Sequence, residues 1–211
     1  MNKDEILKEI RMMQSRGKKL FVSSSFQTHS IPLLHILSQA PEKIPVVFLN
    51  TGFHFPETLK FRDRVSELLG LNLVDVHSSV PKLYQCDKNG NLLYHSNPDE
   101  CCWHNKVTPM IPVLESYDIW INGVRGNQST VRKSFETFQP TEYRAVRFHP
   151  ILDWTSKMIF DYRMQYNLPE HPLEKKGIFS VGCEPCTAGS EGRLGRWAGL
   201  EKTECGLHTQ L

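Results

Sequence analysis

Three short apolar runs, Lys19–Ser23, Pro45–Asn50 and Leu71–His77, alternate with two helical periodicities inside about sixty residues. Each run has the length of a buried strand. Between them, Ser30–Gln39 reads as a helix that stops before Pro41. A second helix begins at Pro56, suited to a first helical position, and runs to Leu69, with Gly70 just past its end. A βαβαβ unit of this kind crosses over right-handedly and builds a mainly parallel, twisted sheet with helices on both faces. Ligands of such α/β folds bind at the carboxyl ends of strands. Here those ends are Ser23–Ser30 and Asn50–Phe55.

The remaining pattern extends this frame. Residues 3–16 form an amphipathic helix through Ile6, Leu7, Ile10 and Met13. Asp118–Val124 and Tyr143–Phe148 read as fourth and fifth strands, and Thr155–Tyr166 as a helix entered through Asp153 or Thr155. Cys101–Tyr117 looks helical but is expected to break at Pro109 and Pro112. Residues 78–100 are turn-rich with little pattern, and from Gly177 onward an irregular segment ends in a mobile tail. The expectation is one domain, 1–211, with a tail at 198–211.

Composition narrows the function classes. The 25 basic and 23 acidic side chains leave a net charge of +2, no electrostatic footprint for duplex nucleic acid. No stretch approaches the 18 apolar residues of a membrane span. The amino-terminal segment has no apolar secretory core, and Asp4, Glu5 and Glu9 argue against a transit peptide. A soluble cytoplasmic chain is expected. In a reducing compartment the six cysteines are read as ligands or nucleophiles rather than disulfides.

Four of those cysteines form two tight pairs, Cys101-Cys102 and Cys183–Cys186, the second within Gly-Cys-Glu-Pro-Cys-Thr. Gly182 and Pro185 favour a tight loop there. Four thiolates suit an iron–sulfur cluster or zinc. Adjacent cysteines point apart, which favours separate irons over one small ion, but zinc and plain buried thiols stay open on the residues alone. Cys86 reads as incidental. Cys205 lies in Glu-Cys-Gly-Leu-His near the end of the sequence, where His208 or an arginine would favour the nucleophilic thiolate. Most of the nine histidines read as core or surface residues, since none shows HxH or HxxxH spacing.

The loop Ser23–Ser30 offers hydroxyls and N–H groups to an anion at the start of a helix, without the glycines and lysine of a Walker loop. Arg193 and Arg196 are spaced to clamp an oxyanion, Arg125 and Arg132 flank another polar loop, and Lys106 lies close to Cys102.

Together these motifs resemble the assimilatory adenylyl-sulfate and phosphoadenylyl-sulfate reductases over about residues 20–208. Ser23–Ser30 resembles the family's phosphate-binding loop. Asn50-Thr51-Gly52 followed by Phe55-Pro56-Glu57-Thr58 is similar to its DTGxxFPET motif, with Asn50 in place of the usual Asp. The two cysteine pairs with Lys106 resemble the cluster-bearing subgroup, Arg193–Trp197 its RxGRW segment, and Glu204–His208 its terminal box. Asn105 stands where an Arg often precedes the lysine, and Gly126 where a second Arg is frequent.

The resemblance implies a fold related to the ATP pyrophosphatases (adenine nucleotide alpha-hydrolase-like). It implies one 4Fe–4S cluster on Cys101, Cys102, Cys183 and Cys186, and Cys205 as nucleophile. Substrate contacts are expected from Ser23, Ser24, Ser25, Phe26, Ser30, Thr51, Gly52, Lys106, Gly123, Arg125, Arg132, Arg193, Arg196 and His208. The implied partners are an adenosine phosphosulfate nucleotide and reduced thioredoxin, and the number of copies in the assembly stays open, as do glutaredoxin as the donor and the 3′-phosphorylated nucleotide as substrate. ATP-cleaving relatives need an SGGxDS-type loop, and this loop has neither paired glycines nor Asp. A nucleotide-binding module with structural zinc is the non-enzyme alternative.

Overall fold

The structure is a computed structural model that describes residues 1–189, 195–198, 202, 204–209 and 211, with the side chains of His208 and Thr209 outside the description. Six strands form one sheet: β1 (Leu20–Ser23), β2 (Pro45–Leu49), β3 (Asn72–Val76), β4 (Ile119–Asn122), β5 (Phe138–Gln139) and β6 (Val146–Phe148). Their spatial order is β3-β2-β1-β4-β6-β5. All neighbours are parallel except the edge pair β5–β6. The first three strands step outward in one direction, and the chain then crosses to the other side of β1. The switch point therefore falls between β1 and β4, where a parallel sheet opens a crevice.

Alternation along each strand divides the core between two faces. Leu20, Val22, Val46, Phe48, Ile121 and Phe148 face one way. There they bury against α1 (Lys3–Ser15), α2 (Ile31–Leu37), α3 (Pro56–Leu69) and α8 (Ser156–Gln165). Phe21, Val47 and Trp120 face the other way, onto Met110 and Leu114 of α6 (Thr108–Ser116). Helices thus cover both faces, unequally. The helix ends obey local chemistry. Asn2 and Glu5 form a capping box at α1, Thr155 caps α8, and Gly70 terminates α3 at φ 59°.

Three expectations need correction. Residues 78–100 hold a built segment, with α4 (Leu93–Ser96) and the start of α5 (Pro98–Cys102), the latter capped by Asn97. The prolines do not break the following helix, which runs from α5 through a π-helical turn, Trp103–Val107, into α6. Pro109 follows directly on that turn, whose i→i−5 bonding, Thr108 N–H to Trp103 O, shifts the ladder just ahead of the residue that lacks an N–H. The widened turn before it relieves the crowding a proline ring imposes on the preceding carbonyls. Strand β5 has no counterpart in the sequence pattern. It is two residues long, held by Phe138 stacking on Phe148 at 4.5 Å, and so carries no readable alternation. After Gly177 the described residues hold only a short 3-10 turn and the short helix α9 (Gly206–Thr209). Among them, Leu207 and Leu211 dock against the second face of the sheet.

Candidate active site

A cavity of about 410 Å³ opens at the carboxyl ends of β1, β2 and β4. Its walls come from five segments distant in sequence: the serine loop, the end of β2 with His54, the loop after β4, the Phe179–Cys183 segment and the tail. Lys106, from the π-helical turn, completes it.

The serine loop is set by one residue. Phe26 takes a left-handed conformation, φ 53°, which costs about 1–2 kcal/mol for a non-glycine residue. Its ring is fully buried, edge-on to Phe48 at 5.9 Å. Phe26 is therefore an anchor in the core, and it leaves Ser23, Ser24, Ser25 and Ser30 on the cavity wall. The Ser23 hydroxyl accepts from Trp120 Nε1 at 2.7 Å, and Ser24 Oγ accepts from the Phe26 N–H at 3.1 Å.

The second expected loop plays another part. Thr51 is buried, and its Oγ1 lies 3.4 Å from Cys183 Sγ. Gly52 adopts φ 68°, and a Cβ there would strike the Lys82 side chain, whose ammonium donates to the Gly52 carbonyl. Neither lines the cavity. Asn50 Oδ1 accepts from the Gly52 N–H, so the amide does the turn-forming work of an acidic residue. Glu57 pairs with Lys176 and Thr58 meets His171, so this motif ties α3 to the chain that leads to the second cysteine pair.

The two cysteine pairs meet. Cys101 and Cys102 end α5, while Cys183 precedes and Cys186 ends a 3-10 turn, Glu184–Cys186. All four are free thiols and buried. Burial, then the neighbouring Cys183 and Cys186, push the Cys101 thiol up to about 11, and burial and Cys183 raise Cys186. A set of buried thiols of this kind releases protons when a cation binds. Among the described residues no three His, Cys, Asp or Glu side chains converge closely enough to hold a single ion. Asn105 Nδ2 donates to the Cys101 carbonyl at 2.9 Å and reaches Cys101 Sγ at 3.6 Å, while trading amide bonds with Gln85.

Arg196 shows why Gly182 is glycine. The guanidinium donates to the Cys186 and Val181 carbonyls at 3.3 Å and stacks on Trp197 at 4.5 Å. A Cβ on Gly182 would collide with that guanidinium. Space for the arginine, not a tight turn, is what the glycine provides.

Cys205 is half-buried on the cavity wall. The Cys102 thiol donates to its sulfur, and this bond, with Lys106 and Arg196 nearby, holds the Cys205 thiol well below the ordinary cysteine range despite its burial. Cys102 is correspondingly pushed up. Burial alone would press Lys106 toward the neutral amine. The sulfurs of Cys183, Cys205 and Cys102 more than reverse this, and its ammonium is held well above the usual lysine range.

Arg125 is buried, donates to Trp154 O and Ser156 Oγ, and lines the cavity beside Gly123. Arg132 also lines it but is engaged by Glu204. Arg193 lies outside the described residues, as does the side chain of His208. Sequence reasoning missed Asn122, Gln128, His29 and His54 on the cavity wall. Both amide atoms of Asn122 are buried without a partner at the end of β4. A polar residue closing an apolar strand at a switch point is the signal that marks it. His29 and His54 are pushed down to about 4, mainly by burial, and stay neutral.

Comparison with known proteins agrees with this arrangement. Residues 19–189 match the phosphoadenosine phosphosulfate reductase domain family. An adenosine 5′-phosphosulfate reductase from Chelativorans sp. is 41% identical, over 88% of this chain and 77% of its own. A phosphoadenosine 5′-phosphosulfate reductase from Gloeobacter violaceus is 40% identical, over 91% and 83%. Among solved structures, the phosphoadenylyl-sulfate reductase of Candida auris, in a phosphate complex, superposes with a TM-score of 0.72 at 19% identity, covering 86% of this chain and 90% of that one. With the sheet, the cavity and the paired cysteines already in place, these matches establish that the chain belongs to the phosphoadenosine phosphosulfate reductase family.

Proposed function

We propose that this protein reduces adenosine 5′-phosphosulfate to sulfite and AMP, with reduced thioredoxin as electron donor. The observation that carries the reading is Cys205: a half-buried thiol on the wall of a cavity that also presents Lys106, Arg125 and Arg196. A thiolate and an anionic substrate repel each other, and these cations offset that repulsion where charge develops.

The reaction divides into two displacements. The Cys205 thiolate attacks the sulfate sulfur, the bond from sulfur to the phosphate oxygen breaks, and AMP leaves with that electron pair. The product on the protein is a Cys205 S-sulfonate. A thioredoxin thiolate then attacks Cys205 Sγ and expels sulfite, which carries away two electrons. The second thioredoxin thiol resolves the mixed disulfide and restores the Cys205 thiolate. The serine loop and Arg125 hold the nucleotide, Lys106 and Arg196 face the sulfate, and the tail, 198–211, carries the thiol between the cavity and the donor.

Cys101, Cys102, Cys183 and Cys186 would hold a 4Fe–4S cluster. Four buried thiols fit that role, since ligands of separate irons need not converge on one point. When bound, the cluster would fix the walls beside Cys205, while thiols supply both electrons.

The 3′-hydroxyl nucleotide is favoured over the 3′-phosphorylated one by charge. Arg132 is matched by Glu204, leaving Lys106, Arg125 and Arg196 among the described cavity residues for the phosphosulfate itself. Sulfite release with reduced thioredoxin, measured on both nucleotides, tests this. Higher kcat/KM on adenosine 5′-phosphosulfate is expected, and a preference for the 3′-phosphate form would reverse the assignment.

A further inference from the structure

The sequence marks Arg132 as a substrate contact, but its guanidinium is turned to the tail. Nε donates to Glu204 Oε1 at 3.1 Å and Nη2 to Glu204 Oε2 at 2.9 Å, a bidentate pair with both residues buried. Nη1 donates to Gln128 Oε1 at 2.5 Å, which also accepts from the Arg125 N–H at 3.2 Å. The arginine stands on α7 (Thr130–Lys133), capped by Ser129. Its position is therefore fixed from the loop side before the tail arrives.

Glu204 immediately precedes Cys205. We propose that Arg132 is a positioning residue: through its fork onto Glu204 it sets where Cys205 sits in the cavity. This rests on the reading of Cys205 as the nucleophile.

Three physical points support it. Leu207 and Leu211 also dock the tail, but apolar contacts tolerate sliding, whereas two parallel charge-assisted bonds set distance and orientation together. A near-attack geometry needs that precision, since displacement by about 1 Å costs on the order of a hundredfold in rate. Second, an unmatched carboxylate next to Cys205 would repel the anionic nucleotide, and Arg132 cancels it. Third, the pair is buried, so withdrawal of the tail leaves the Arg132 guanidinium without its partner. The closed position is thus favoured until the tail must meet its donor.

The rival is that Arg132 is a substrate cation and Glu204 a stand-in that the nucleotide displaces. Holoprotein carrying Glu204→Gln separates the two. A positioning role predicts that alkylation of Cys205 by iodoacetamide, mapped by peptide mass, accelerates at least about tenfold. Single-turnover S-sulfonate formation should slow by a similar factor while the Kd for AMP stays within twofold. Arg132→Gln combined with Glu204→Gln should slow S-sulfonate formation no more than Glu204→Gln alone, because both remove the same bond. Tighter AMP binding by Glu204→Gln, or unchanged alkylation and single-turnover rates, would overturn the proposal. If Glu204→Gln fails to fold, Glu204→Asp, which is too short to keep both bonds, carries the same measurements. Absence of any S-sulfonate on wild-type Cys205 would remove the nucleophile reading instead, and the alkylation arm would still report on the latch.

Discussion

The half of the molecule built on β1 to β3 and the part that follows Gly177 are held by different forces. In the first, apolar residues from three strands and three helices fill one continuous core, and Ile6, Ile10, Val22, Val46, Phe48 and Val65 are essentially inaccessible to water. In the second, among the described residues, discrete bonds supplement a few small apolar contacts. Arg196 lies on carbonyls, Arg132 on Glu204, Lys202 on Asp99 and Trp197 on the cysteine loop. A sheet held by area stays put. A segment held by discrete bonds, each of them breakable, suits a thiol that must serve two partners in turn.

Predictions that separate the regions run from large effects to small. Cys205→Ser should lower sulfite production at least about a thousandfold, as loss of a covalent nucleophile does elsewhere. AMP binding by calorimetry and the thermal midpoint should hardly change, since serine differs from cysteine by a single atom. In the sheet core, which continues past β1 to β3 into β4 and β6, the balance should invert. Phe148→Ala, at a fully buried position, should destabilise by about 3–5 kcal/mol in urea unfolding. Its folded fraction should turn over near the wild-type rate.

Arg196→Ala should weaken nucleotide binding or slow S-sulfonate formation by roughly ten- to a hundredfold, the value of about 1.5–3 kcal/mol for a charged hydrogen bond. Gly182→Ala, which thrusts a Cβ into the guanidinium, should give much of the same defect without touching the charge. Equal stability losses with no kinetic change would assign both residues to the fold.

The effect on turnover is smallest for the histidines of the scaffold. His149 and His171, fully buried, are both held down to about 4 chiefly by burial. Because the unfolded chain binds protons near pH 6.5 and the folded one does not, stability is full above that value. It falls as the pH drops from about 6.5 toward about 4. Thermal midpoints should decline by several degrees over that window. His171→Gln, which keeps a partner for Thr58 but cannot titrate, should flatten the slope.

How far the sequence speaks follows the same division. The strands β1 to β4, the helices α1 to α3 and the Gly70 stop are visible because burial imposes a period, and period is written locally. The cysteine pairs and Cys205 are visible because sulfur chemistry needs particular residues at close spacing. What stays hidden depends on distant partners. Phe26 reads like any loop aromatic until its ring is seen against Phe48. Arg132 reads like a substrate cation until Glu204, far along the chain, occupies it. The passage through Pro109 and Pro112 depends on a π-helical turn that has no simple sequence period.

The account turns on Cys205 bearing the sulfur of the substrate. Wild-type holoprotein mixed with adenosine 5′-phosphosulfate, without thioredoxin, should gain one sulfonate by intact mass, and peptide mapping should place it on Cys205. Adding reduced thioredoxin should remove it and release one sulfite. An adduct on Cys86 or on any of the four paired cysteines, or sulfite released by Cys205→Ser, would contradict the account.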